Sequence, residues 1–297
     1  MYKRQANLNY IGSGVAGAGS DFLSIEANGI TIDGLVIECI GGAAIGVGSS
    51  DKLPDDITVQ NNATYWTIGQ GINVNGPGKT GSPALTGVRT VVRNNRVCCA
   101  SVRSITANAP GTQPDPSTGA IRIGYMMSGL VENNVIDHCF GEGMDVGKFN
   151  HGTADNPTII RNNTIRDTSH VALYLLWSRY VHVYGNVVYH TKNSGAHQSQ
   201  SPWGPGNCLA FRDEDKGTPT GNFGAATGEN YYVYNNLLVN GDSLFQHGKQ
   251  KNIYFGFNTL VTGYYTYNAA IISNGEASGI LETVSYTHLT LPTSDLV

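Results

Sequence analysis

An all-β solenoid of short coils stacked in register is the fold class this sequence predicts, and three observations predict it. First, similar segments recur: VQNNATYW ending at Trp66, VRNNRVCC at Cys99, VENNVIDHC at Cys139, IRNNTIRDT at Thr168, VYGNVVYHT at Thr191, VYNNLLVNG at Gly241 and YFGFNTLVTG at Gly263. Second, apolar residues alternate within each copy, as in ITVQNN and INVNG, which is the period of a strand and excludes helical repeats. Third, 38 glycines and 11 prolines in 297 residues, with abundant asparagine, supply tight corners. A hydrophobic share of 40% separates this composition from disorder.

Each element follows from the repeat. The anchor of each copy is Asn62, Asn95, Asn134, Asn163, Asn186, Asn236 or Asn258, with Gly34 standing in an Asn-free first copy, IDGLVIEC. The anchor Asn is placed at a left-handed corner, its amide bonding the next coil. Two residues past each anchor stand Val36, Thr64, Val97, Ile136, Ile165, Val188, Leu238 and Leu260, a column suited to an interior stack. A second strand segment follows each anchor, about ten residues on in GINVN, GMDVG and ALYLL, and further on, past an insertion, in AIRIG and CLAFR. Its inward residues are read as Ile45/Val47, Ile72/Val74, Ile121/Ile123, Met144/Val146, Leu173/Leu175 and Leu209/Phe211. A coil of roughly 23 residues cannot bury its own apolar face, so neighbours must stack. Longer gaps read as loop insertions near residues 76–82, 101–119, 149–156, 191–207 and 213–229.

The NN-x-[IV] corners and the strand period resemble the right-handed parallel β-helix of the pectin-lyase-like superfamily, over nearly all of Ile30 to Ser273. The resemblance implies about eight coils in one domain, residues 6–283. It also implies a carbohydrate-active protein, since the superfamily includes polysaccharide lyases, polygalacturonases, uronan epimerases and phage tailspikes. The signatures of its polygalacturonases and mannuronan epimerases are absent, so no catalytic residue is carried over. Residues 1–5 and 284–297 (MYKRQ and VSYTHLTLPT onward) resemble translated sequencing adapter, which reads the chain as a metagenomic fragment truncated at both ends. A secreted, cell-surface or periplasmic setting is expected, with the signal peptide not in the fragment, and a monomer when full length.

Charge and cysteine usage narrow the classes further. A net charge of −4 and a pI near 6.0 argue against nucleic-acid binding through bulk positive charge. No apolar run approaches the roughly 18 residues a membrane helix needs. Cys39, Cys98, Cys99, Cys139 and Cys208 form no CxxC, and no histidine spacing suggests zinc. These thiols read as small apolar fillers. His138 and His190 share a repeat position with Glu38, Asp167 and Asn240, a polar corner column.

The second segments carry the candidate chemistry. Alternation puts Asn73, Arg122, Asp145 and Tyr174 on the outer face, with Lys148, Trp177, Arg212 and Asp213 close behind. Loops on a rigid scaffold are the usual home of function, and the insertions flanking CLAFR make walls beside this face. Arg122, Lys148 and Arg212 suit uronate carboxylates, while Tyr174, Trp177 and Trp203 suit sugar faces; Asp213 and His170 complete the substrate-binding set. For β-elimination on a uronate polymer, Lys148 or Arg212 is the base, with Arg122, or Ca²⁺ held by Asp145 and Glu142, neutralising the carboxylate. Hydrolysis by paired carboxylates, Asp145 with Asp213 or Glu214, is the alternative, and a non-catalytic glycan-binding or adhesive solenoid stays open beside both.

Overall fold

The structure, a computed structural model, describes residues 8–9, 21–48, 54–75, 87–101, 119–124, 126–146, 152–191, 206–212, 228–248, 250–263, 271–273 and 282–284. Regular structure among them is all strand, in three parallel sheets of nine strands each. Each coil runs once through the three: a leading strand such as Thr58–Gln60, an anchor strand such as Ala63–Tyr65, and a trailing strand such as Ile72–Asn75. The next coil repeats the path, so that Arg96–Cys98 pairs with Ala63–Tyr65 and with Val135–Cys139. This is the right-handed parallel β-helix. The eight anchor copies read in the sequence supply eight strands of the anchor sheet, and Leu8–Asn9 supplies the ninth. The predicted insertions lie largely outside the described residues.

The corner between leading and anchor strands departs by one residue from the sequence reading. The left-handed residue is the one before the anchor: Asn61, Asn94, Asn133, Asn162 and Asn235 have φ between 53° and 56°, and Gly34, Gly185 and Phe257 take the same place. The anchor asparagines are buried behind it. Nδ2 of Asn62 donates to Oδ1 of Asn95 at 3.0 Å, and the relay continues through Asn134, Asn163, Asn186, Asn236 and Asn258 at 2.9–3.0 Å. The other amide hydrogen reaches a leading-strand carbonyl, as from Asn134 to Val92. Oδ1 also accepts the preceding anchor's backbone N–H. Every polar atom of such an amide is satisfied, which is what permits its burial.

Gly34 is therefore the left-handed residue of the first coil, and Leu35 takes the anchor place, donating its N–H to Asn62 Oδ1. The interior column accordingly begins at Ile37, not Val36: Ile37 opposes Thr64, and the column continues as read to Leu260. The inward residues of the six second segments are buried as expected. Toward the C-terminal coils the core becomes aromatic, with Phe211 stacked on Tyr231 and Phe245 on Phe255, each at 4.5 Å. Cys139 and Cys208 are buried, but Cys39 is exposed and Cys98 and Cys99 are half-buried, so the filler reading holds for only two of the five thiols.

Candidate functional site

The outer face of the trailing sheet assembles the residues singled out in the sequence. Arg122 opposes Asn73 on one side and Asp145 on the other. Asp145 opposes Tyr174, Tyr174 opposes Ala210, and Leu176 opposes Arg212. Groups spread over 90 residues of sequence thus share one flank, because consecutive coils lie about 4.8 Å apart.

Two acid–base pairs define the face. Nε of Arg122 lies 3.4 Å from Oδ2 of Asp145, which is 3% exposed. Three residues earlier on the same strand, Glu142, also 3% exposed, faces Nδ1 of His170 at 3.4 Å. Both carboxylates sit low on the sheet, while Arg122 and His170 keep part of their side chains in solvent. Close packing fixes this geometry: Gly119 opposes Glu142, and a Cβ there would stand 3.2 Å from Cβ of Asp145. Further along, Nη2 of Arg212 and Nδ2 of Asn207 both donate to Oε1 of Gln246 at 2.7 Å. Asn207 in turn accepts from the Ser243 hydroxyl at 2.7 Å.

Tyr174 corrects an expectation. It was read as an open stacking surface, yet it is 2% exposed and packs with Val171, Leu176 and Ala210, with Trp177 against them. Its ring builds a small apolar cluster outside the main core, and among the described residues Trp177 is the predicted aromatic that stays half-buried on this face. Lys148, Trp203, Asp213 and Glu214 lie outside the described residues.

Glu142 and Asp145 do not make a convincing calcium site. Ca²⁺ takes six to eight oxygens, each of these carboxylates already faces a basic partner, and among the described residues no third acidic group joins them.

Gln246 and Asn207 belong to the face but were not picked out in the sequence. Phe245–His247 pairs with Leu209–Arg212, yet Phe245 stands nine residues past Asn236 where other coils use ten. That one-residue shortening hides the strand from a fixed-spacing reading.

A solenoid of parallel coils with a polar face on one sheet defines the class of protein. Residues 21–202, more than half of the chain, match the family model described as right handed beta helix region, and the chain belongs to that family. Among solved structures it is similar to the Dettilon tailspike protein (gp208), at 13% identity and a TM-score of 0.42, over 84% of this chain. The chain spans 61% of that tailspike's length. No curated protein matches the sequence. No helix among the described residues is long and apolar enough to cross a membrane.

Proposed function

We propose that the outer face of the trailing sheet binds an acidic, uronate-containing polysaccharide and cleaves it by β-elimination. One observation carries the reading. A histidine backed by a buried carboxylate, His170 with Glu142, stands on the same face as an arginine backed by a second, Arg122 with Asp145.

The two pairs match the two needs of the reaction. His170 accepts the proton α to the uronate carboxylate, and the electron pair of that C–H bond becomes a C=C bond as the C–O bond to the leaving sugar breaks, its pair staying on the leaving oxygen, which takes a proton from water. Histidine is suited to this because its ordinary titration range spans neutral pH, whereas an arginine base does not release its proton there. Glu142 orients the ring and steadies the imidazolium. Arg122 pairs with the substrate carboxylate, where negative charge develops, and Asp145 positions Arg122. Arg212, held by Gln246, and Trp177 extend the binding face toward the C-terminal coils. Lys148 remains the alternative base. A secreted or cell-surface setting belongs to the same reading, because such polymers lie outside the cell. Glu142 and Asp145 on one strand support a second reading, hydrolysis by paired carboxylates.

The test is a panel of pectate, alginate and glycosaminoglycan substrates, followed by the ultraviolet absorbance of unsaturated uronate ends. Absorbance should rise on at least one polymer and fall about a hundredfold or more in His170→Gln. Arg122→Ala should raise KM and lower kcat together. New reducing ends without absorbance would replace elimination by hydrolysis. Silence on both readouts with glycan binding retained would leave a binder and remove the enzymatic claim.

A further inference from the structure

We propose that Cys98 and Cys99 are a redox-active vicinal pair, which a low-molecular-mass disulfide oxidises to a disulfide between neighbours and a low-molecular-mass thiol reopens. The pair lies at the corner between the anchor and trailing strands and does not rest on the reading given to the trailing-sheet face. Both residues are free thiols, and both are half-buried, within reach of small solutes. Their Sγ atoms stand 2.9 Å apart. Even carbon atoms in contact sit at about 3.5–4.0 Å, so the two larger sulfurs are held inside ordinary non-bonded distance.

The backbone brings the thiols together. Consecutive residues of a strand point to opposite faces, which would part the two side chains. The strand Arg96–Cys98 ends at Cys98, and Cys99 takes the left-handed conformation, with φ 58°. That turn carries the Cys99 side chain back beside Cys98. Neighbouring coils fix the turn from both sides: the Trp66 N–H donates to the Cys98 carbonyl, and the Cys99 N–H donates to the Asp137 carbonyl, each at 3.1 Å. Asparagine or glycine would hold the same backbone at less cost, so the Cys99 thiol stands there against the local preference.

The other thiols are poorly placed to compete. Cys139 and Cys208 are buried, and Sγ of Cys139 donates to the Glu142 carbonyl at 3.0 Å. Cys39 is exposed, but Glu38 opposes Tyr65 and Tyr65 opposes Cys98, which sets Cys39 two coils from Cys99. Two steps of about 4.8 Å exceed the roughly 7 Å that a disulfide can bridge. Burial, and then the adjoining Cys98 thiol, push the Cys99 pKa up to about 12, so Cys98 makes the first attack. Its thiolate displaces RS⁻ from the small disulfide RSSR, and that RS⁻ takes up the proton Cys98 gave. The Cys99 sulfur then attacks the Cys98 sulfur, and its proton leaves with the second RSH. The two protein thiols are oxidised and one RSSR is reduced to two RSH. Adjacent Cα atoms stand about 3.8 Å apart, short of the roughly 4.4 Å at which the usual disulfide range begins. Such a bond is readily reduced again. The loop it closes holds no intervening residue, so it removes the least chain entropy a disulfide can remove. Reversible oxidation, not stapling of the fold, is what this pair is built for.

The experiment uses the full chain, reduced, freed of reductant and incubated with oxidised glutathione, then digested without reduction and mapped by mass spectrometry. The peptide that holds Cys98 and Cys99 should lose two hydrogens and carry no glutathione, and reduced glutathione should restore both thiols. Cys99→Ser should instead keep a glutathione on Cys98, and Cys39→Ser should leave the parent result unchanged. Far-UV circular dichroism must show that the variants are folded; the mass of the parent peptide carries the test if one is not. Two unmodified thiols in the parent, a glutathione that persists on Cys98 there, a disulfide joining either residue to Cys139, or an unmodified Cys98 in folded Cys99→Ser would overturn the pair.

Discussion

Two of the three corners that the β-helix turns in each coil are built on opposite principles. Between leading and anchor strands the left-handed position is held by asparagine or glycine in every coil but the last described, where Phe257 stands. The residue after it is the buried asparagine of the ladder in seven of the eight copies. Between anchor and trailing strands the equivalent position changes at each step: Cys39, Trp66, Cys99, His138, Asp167, His190 and Asn240. Six of these seven have positive φ, a conformation that costs most side chains about 1 kcal/mol or more. The first corner uses the residues that suit the backbone and satisfies every amide. The second tolerates poorly suited backbones, and among the described residues it leaves the ring nitrogens of His190 without a hydrogen-bond partner. Strain and unsatisfied groups gather where a fold does more than hold itself together. The first corner is therefore the scaffold, and the second is free to carry chemistry.

The largest effect that would break this comparison comes from the ladder. Asn163→Ala removes the acceptor for two groups of Asn134 and the donors to Asn186 and to the Val131 carbonyl. At about 1–3 kcal/mol for each group left unsatisfied, urea denaturation should show a loss of roughly 3–5 kcal/mol. A loss under about 1 kcal/mol would mean that the ladder is ornamental.

A smaller effect tests the cost of an unsatisfied polar group inside the solenoid. His247 is buried beside the Phe245 ring at 5.5 Å, and among the described residues its Nδ1 meets no well-formed hydrogen-bond partner. Burial lowers its pKa below the ordinary histidine value. The unfolded chain then binds the proton more readily, so this residue's share of stability is present above the ordinary value near pH 6.5 and is lost as pH falls through and below it. Thermal melts between pH 7.5 and 5 should show a shallower decline in His247→Leu than in the parent; equal slopes would remove His247 from the account.

The smallest effect probes the second corner directly. Trp66 sits at φ 54° and is 54% exposed, so its side chain buys little packing for its strained backbone. Trp66→Asn should raise stability by about 1 kcal/mol in the same denaturation assay. Destabilisation instead would show that the indole is held by contacts that matter to the coil.

Much of the architecture was legible because it repeats. The NN corner, the period-two strands and the aliphatic column recur often enough that Ile136, Ile165 and Val188 could be placed inside from spacing alone. The first coil was misplaced by one residue because Gly34 looked like a substitute for the anchor, when it is the left-handed residue and Leu35 is the anchor's counterpart. On the face, Arg122, Asp145 and Tyr174 were placed correctly as neighbours. The burial of Tyr174 was not legible, since alternation states which way a side chain points and not what packs over it. Gln246 escaped because its coil is one residue short.

The sequence by itself determined the period, and with it the stacking of coils, the inward stripe and the flank on which each outward residue lies. These follow from local rules, because a strand alternates sides and a left-handed corner selects asparagine or glycine. Only the tertiary structure decided which polar atoms meet: the amide relay along the ladder, Arg122 with Asp145, Glu142 with His170, and Asp137 behind His138. Such pairings depend on register between coils and on side-chain depth. Both are set by the packing of the whole stack, which no single window of the chain contains.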